Sequence, residues 1–296
     1  MEPLEIALLT LAVTAASTSA PLVREALAPA LLIALWRNLL ATVVLVPGAW
    51  ARHREELRSL DRHERRLVAL SGLLLAGHFG TWIPSLSYTT VASSVALVCM
   101  QPLWAAAFAH RRGQPSGRRT WFGIALALLG VVVLTGVDLG LSGRAVFGDA
   151  LALIGGMLAA AYVTVGAAVR RSVSTTAYTT GCYGVASVAL LVTCIVGQVG
   201  VVPSSARTWW CLVALTIGPQ LLGHSVINRL LRTVSPTIVS VALLFEIVGS
   251  TLLAYWWFGE APPTGTYPAA LLIAAGVVVV VRDADRSAIR ASPKRR

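Results

Sequence analysis

Ten apolar runs dominate this chain, at residues 4–22, 28–48, 67–87, 92–110, 119–137, 149–169, 178–199, 208–227, 235–258 and 266–282. A hydrocarbon core of about 30 Å takes roughly 20 helical residues, and each run meets or approaches that length. Where water cannot reach the backbone, every N–H and C=O must be bonded within its own segment. The expected fold class is therefore an all-α polytopic membrane protein with ten transmembrane helices. Composition agrees: 56% of the 296 residues are hydrophobic and only 12% charged, about half the charged share of soluble domains. A soluble fold would lack the polar residues to cover itself. The first run resembles a secretion signal in length, but Glu2 and Glu5 precede it and no Lys or Arg does. It is expected to stay as the first span.

Of the 24 Lys and Arg residues, 20 follow runs two, four, six and eight or lie in the C-terminal tail. Arg24, Arg144 and Arg207 fall on the other side, and Arg37 lies within run two. The net charge of +11 thus reads as orientation in a cytoplasmic membrane, with both termini cytoplasmic. No nucleic-acid partner is expected. The expected partners are the lipid bilayer and a small-molecule substrate, with proton coupling and a homodimer as open options.

An internal repeat sharpens this picture. Gly77-His78 recurs as Gly223-His224, 146 residues later; at the same offset Ser94-Val95-Ala96-Leu97 matches Ser240-Val241-Ala242-Leu243, Gly113 matches Gly259, and Arg24 matches Arg170. Each half holds five spans, an odd number, so the second copy enters the membrane the other way up. Such an inverted five-helix repeat encloses a shared site in many carriers. The expected division is a first repeat at 1–137, a linker at 138–148, a second repeat at 149–282 and a basic cytoplasmic tail at 283–296.

Polar residues inside the spans mark candidate substrate or proton contacts, because they are costly there. Span three sets Ser71, Leu75, His78, Trp82 and Ser85 on one helical face, and span eight sets Gln220, His224 and Asn228 at the same spacing. An imidazole can bind an acidic group, relay a proton or hydrogen-bond a neighbour; these alternatives stay open. Glu246, in span nine, is the one carboxylate in the middle of a span, and its repeat partner is Met100, so this charge is not duplicated. Trp82, Gln101, Trp104 and Tyr162 form a candidate aromatic and polar wall. Arg37 either binds an anion or bonds a neighbouring helix, the structural role being the favoured one. Asp149 is expected as the N-cap of span six. Pro102 and Pro219 are expected to kink spans four and eight. Small residues (Gly123, Ala127 and Gly130 on span five, Gly155 and Gly156 on span six) suit close helix packing. Cys99, Cys182, Cys194 and Cys211 have no metal spacing and are expected as small buried side chains.

Several segments together resemble the drug/metabolite transporter superfamily, in particular its EamA-type ten-helix exporters. They are Gly148-Asp149 with Ala150-Leu151-Ala152-Leu153, Ser235 through Glu246, Phe258-Gly259-Glu260, Gly276-Val277-Val278, and Arg37 and Pro102 in the first half. Ile247 departs from the proline that often follows the glutamate, and Gln114 departs from the Gly-Glu ending kept at Gly259-Glu260. The resemblance implies a cytoplasmic-membrane carrier, usually an exporter of amino acids, other small metabolites or toxic compounds, and makes Glu260 a secondary candidate.

The expected function is a secondary transporter of small organic metabolites by alternating access, its site lying between spans one, three, four, six, eight and nine. A multidrug efflux pump is the alternative. Less favoured are an intramembrane enzyme using His78, His224 and Glu246, and a non-transporting scaffold. There is no Walker, HExxH or GxSxG motif, so ATP-driven transport, catalysis and a cofactor or resident metal are not expected.

Overall fold

The computed structural model describes residues 1–89, 91–113, 116–135, 142–259 and 266–291. The first half comprises α1 (Pro3–Ser17), α2 (Ser19–Glu25), α3 (Ala30–Ser59), α4 (Arg62–Ser85), α5 (Val91–Val98), α6 (Gln101–Arg111) and α7 (Arg118–Thr135). The second comprises α8 (Gly143–Val169), α9 (Thr175–Val196), α10 (Ala206–Leu215), a π-helical stretch Thr216–Ser225, α11 (Val226–Leu230), α12 (Pro236–Ala242), α13 (Phe245–Phe258) and α14 (Thr266–Ala291). All elements among the described residues are helical. Among the described residues seven helical stretches are long and apolar enough to cross a membrane, and they cover the expected spans one, two, three, six, seven, eight and nine.

Local sequence sets the ends. Asp61 caps α4 by accepting from the Glu64 N–H, and Glu64 returns the bond to the Asp61 N–H, a reciprocal cap. Ser142, Ser174, Ser205 and Ser235 cap α8, α9, α10 and α12 without the return bond, each hydroxyl oxygen accepting from the N–H three residues on. Ser142 takes the role expected of Asp149, because α8 starts earlier and absorbs residues 143–148 of the expected linker. Asp149 lies inside that helix and accepts from Ser93 Oγ at 3.0 Å. The repeated glycines Gly113 and Gly259 both adopt left-handed φ, +72° and +70°, and each ends its helix where a side chain would be strained.

The packing respects the repeat. α4 lies along α8, and α1 lies along the π-helical stretch; exchanging the two halves turns one contact into the other. The pairs α3 with α9 and α7 with α14 map onto themselves. Span four is not one kinked helix but two short ones, α5 and α6, meeting at Cys99-Met100. Pro102 sits in the first turn of α6, where its missing N–H costs nothing. Span nine breaks two residues before the equivalent place, at Leu243-Leu244, without a proline.

α8 is held against the first break by glycine. A Cβ on Gly156 would lie 2.6 Å from the Val98 carbonyl oxygen, backbone that cannot swing away. Gly156→Val is expected to destabilise the protein by about 1–3 kcal/mol through overpacking, read as a lower thermal midpoint in detergent. Gly48→Val, where nothing lies within 4 Å, is the control.

Candidate functional site

The two histidines separated by 146 residues come together. Their ring centroids are 6.2 Å apart at a cavity in the middle of the bundle. His78 Nδ1 donates to the Gly155 carbonyl at 3.0 Å, so in the neutral ring its other nitrogen is an acceptor. Its ring lies parallel to that of Trp82, centroids 5.8 Å apart. His224 packs against the edge of Phe79 at 5.3 Å and against Tyr162 at 6.2 Å. It is only partly buried, the cavity supplying its accessible surface.

Glu246, Gln101, Trp82 and Tyr162 complete the polar and aromatic lining with Ser19. The lining is drawn from α1/α2, α4, α5/α6, α8, the span containing His224, and α12/α13, which are spans one, three, four, six, eight and nine. The cavity volume is about 40 Å³. The cavity is thus narrow. Both helix breaks point at it: Gln101 opens α6 and Glu246 lies in the first turn of α13. The N–H groups there are tied into short turns, Leu103 donating to the Met100 carbonyl, Glu246 to that of Leu243 and Ile247 to that of Leu244.

Other expected site residues stand elsewhere. Trp104 does not line the cavity; its Nε1 is buried with no protein partner. Gln220, His224 and Asn228 do not share one stripe, because the stretch from Thr216 to Ser225 is π-helical around Pro219 and its wider turn rotates successive side chains apart. Gln220 faces α3 instead, accepting from Arg37 Nε at 2.9 Å and donating to Asn38 Oδ1 at 3.1 Å. Asn228 stands behind the wall and accepts from the Tyr162 hydroxyl at 2.8 Å. Ser71 and Ser85 of the span-three stripe are buried outside the cavity. Glu260 lies outside the described residues. Among the described residues, no three of His, Cys, Asp and Glu group as a metal site, and the four cysteines are free and buried.

Sequence reasoning missed the supports of the cavity. Asn38, the residue after Arg37, orients Gln220. Phe79, next to His78, carries the Arg37 guanidinium over its ring at 4.1 Å and His224 against its edge.

Polar contacts close both ends of the bundle. At the arginine-rich face Glu56 Oε1 accepts from the Ser174 N–H at 2.5 Å, Glu64 accepts from Ser172 Oγ at 2.6 Å, and Arg170 Nε donates to the Asn228 carbonyl at 2.9 Å. At the opposite face Arg207 pairs with Glu25 at 2.5 Å, Thr208 Oγ1 donates to the Ala26 carbonyl at 3.0 Å, and Trp36 Nε1 donates to the Val201 carbonyl at 2.7 Å. Glu56 and Glu64 on Ser174 and Ser172, and Arg207 and Thr208 on Glu25 and Ala26, are repeat-related: in both sets the hairpin between the second and third spans of one half grips the turn after the first span of the other.

The EamA-like transporter family matches this chain twice, over residues 3–136 and 146–282. The chain belongs to the EamA-like transporter family. This EamA-like protein is a multi-pass membrane protein of the drug/metabolite transporter superfamily, whose family function is transport. Among solved structures, 29 chains match it. One crystal structure, titled only as that of a protein, aligns with a TM-score of 0.78 over 97% of this chain and 99% of that one, at 21% identity. That is a likeness of fold alone. No curated protein sequence matches.

Proposed function

We propose that this EamA-like protein is a secondary carrier that exports small amphipathic organic solutes by alternating access. Ten spans in two inverted halves, with both termini cytoplasmic, are part of the reading. The observation that carries it is the meeting of His78 and His224, repeat-equivalent residues, on the wall of a central cavity. Two sequence-related halves that each place an imidazole at one shared pocket give a site that can be served from either face. The aromatic surfaces of Trp82 and Tyr162 suit an apolar body, and Gln101, His78 and Glu246 supply a few convergent polar groups, the usual make-up of a small-solute site. The positive-inside distribution of arginine supports the orientation.

Flux measurements in proteoliposomes test this. His78→Ala with His224→Ala is expected to reduce transport of a responsive solute at least tenfold, since loss of a single hydrogen bond of about 1.4 kcal/mol already gives that factor. Normal flux in a well-folded double variant would remove the cavity from the transport path.

Glu246 favours a second reading. A carboxylate at the cavity wall would attract cationic drugs, so broad efflux would appear as resistance to several unrelated cations in a pump-deficient host. Resistance confined to one chemical class supports a dedicated exporter.

A further inference from the structure

Arg37 is the most deeply buried charge among the described residues, with 0% of its surface exposed. Its Nε donates to Gln220 Oε1 at 2.9 Å and its Nη1 to Ser19 Oγ at 3.1 Å. Its Nη2 has no protein partner. Neither Arg37 nor Glu246 belongs to an ion pair among the described residues, although the two lie close enough to attract one another. A guanidinium keeps its proton, so the chain holds a full positive charge in its centre without a bonded anion. Burying a charge unpaired is expensive, and an apolar side chain at this position would avoid the cost. The charge is not loosely placed. Gln220 is itself fixed by Asn38, Phe79 supports the flat face of the guanidinium, and Ser19, the partner of Nη1, lines the cavity.

We infer that Arg37 is the anion-binding group of the central cavity, and that the transported solutes carry a carboxylate or phosphate that exchanges with Ser19 for the planar N–H edge of the guanidinium. This rests on the cavity being the solute site. Arg37 does not itself line the cavity; Ser19, which does, is the Nη1 partner that an oxyanion entering from the cavity would replace. Displacing it leaves two N–H groups, on Nη1 and Nη2, for an oxyanion, the fork that matches both anions. Glu246, across the cavity, opposes an anion while it is ionised, and its neutralisation favours one.

Thermal unfolding of the purified full chain separates the possibilities, with benzoate, phenyl phosphate, benzylamine and benzyl alcohol as probes of one aromatic body and four head groups. A bound ligand raises the melting point. Benzoate or phenyl phosphate is expected to raise it, whichever is stronger naming the anion, and the rise should grow in Glu246→Gln and vanish in Arg37→Gln. Arg37→Lys keeps the charge without the fork and should retain a rise weakened about tenfold in ligand concentration; it also serves if Arg37→Gln does not fold. A purely structural Arg37 would leave any anion effect unchanged in its folded variants, which overturns the inference. So would a rise with benzylamine alone that disappears in Glu246→Gln, although the cavity would then stand as the solute site. Absence of any rise with either anion, in wild type and in Glu246→Gln, also overturns it; the histidine flux assay tests the cavity independently.

Discussion

Glu246→Gln is expected to stop turnover and, at the same time, to make the protein more stable. Its carboxylate is buried apart from the cavity it faces and takes part in no ion pair. An ionised carboxylate near the middle of a span costs about 2–3 kcal/mol on insertion scales. A neutral carboxamide of the same shape avoids most of that cost. The side chain is therefore retained against stability, which is the usual signature of a working charge rather than of packing. Ionised, Glu246 repels a bound anion and so favours its release; fixing it neutral removes that repulsion, and flux should fall about 10- to 100-fold, a change of about 1.4–2.8 kcal/mol. Flux and thermal midpoint are measured on the same preparation. A variant that is destabilised and still transports would show instead that Glu246 ties spans together and has no part in moving the solute.

The different legibility of these features in the sequence has physical reasons. Hydropathy alone reports where backbone must be helical, so spans one, two, three, six, seven, eight and nine are readable from apolar length. Hydropathy does not report continuity: α5 and α6, or α12 and α13, carry the same apolar signal as one helix would. Pro102 reads as a kink in a continuous span but stands at a helix start, and the break at Leu243-Leu244 has no proline to mark it. The histidines are legible because duplication gives each a control at a fixed offset. Trp104, Gln220 and Asn228 are not, because a side chain's direction depends on helical phase. Ten residues of π-helix between Thr216 and Ser225 change that phase without any change in composition. Arg37 was visible as a mid-span cation, but its unbonded Nη2 is a fact of tertiary geometry. All but one of the contacts at the two faces join residues more than a hundred positions apart, such as Glu56 with Ser174 and Arg207 with Glu25, and no local pattern announces them.

Those contacts yield the largest expected effect. Both faces of the bundle are fastened at once, each by the hairpin of one half against the turn of the other, and under the proposed carrier function such an arrangement would be an occluded state. Alternating access requires each fastening to open in turn. Covalently fixing either one should then halt transport completely, whereas a channel-like path would be blocked with no dependence on which half moves. Glu56→Cys with Ser174→Cys fixes the arginine-rich face, and Glu25→Cys with Arg207→Cys fixes the opposite one. A short bifunctional thiosulfonate can bridge each pair, and the four native cysteines are buried, which shields them from the reagent. Each cross-linked protein is expected to lose flux and to regain it when the bridge is reduced, while the single-cysteine variants keep it throughout. Each lock should also leave a different face reactive: with the arginine-rich face bridged, a thiol reagent added from the opposite side should reach a cysteine placed at Ser19, and with the opposite face bridged it should not. Turnover that continues through either bridge would mean that these contacts are ordinary surface bonds and that the halves do not rock about the histidine cavity.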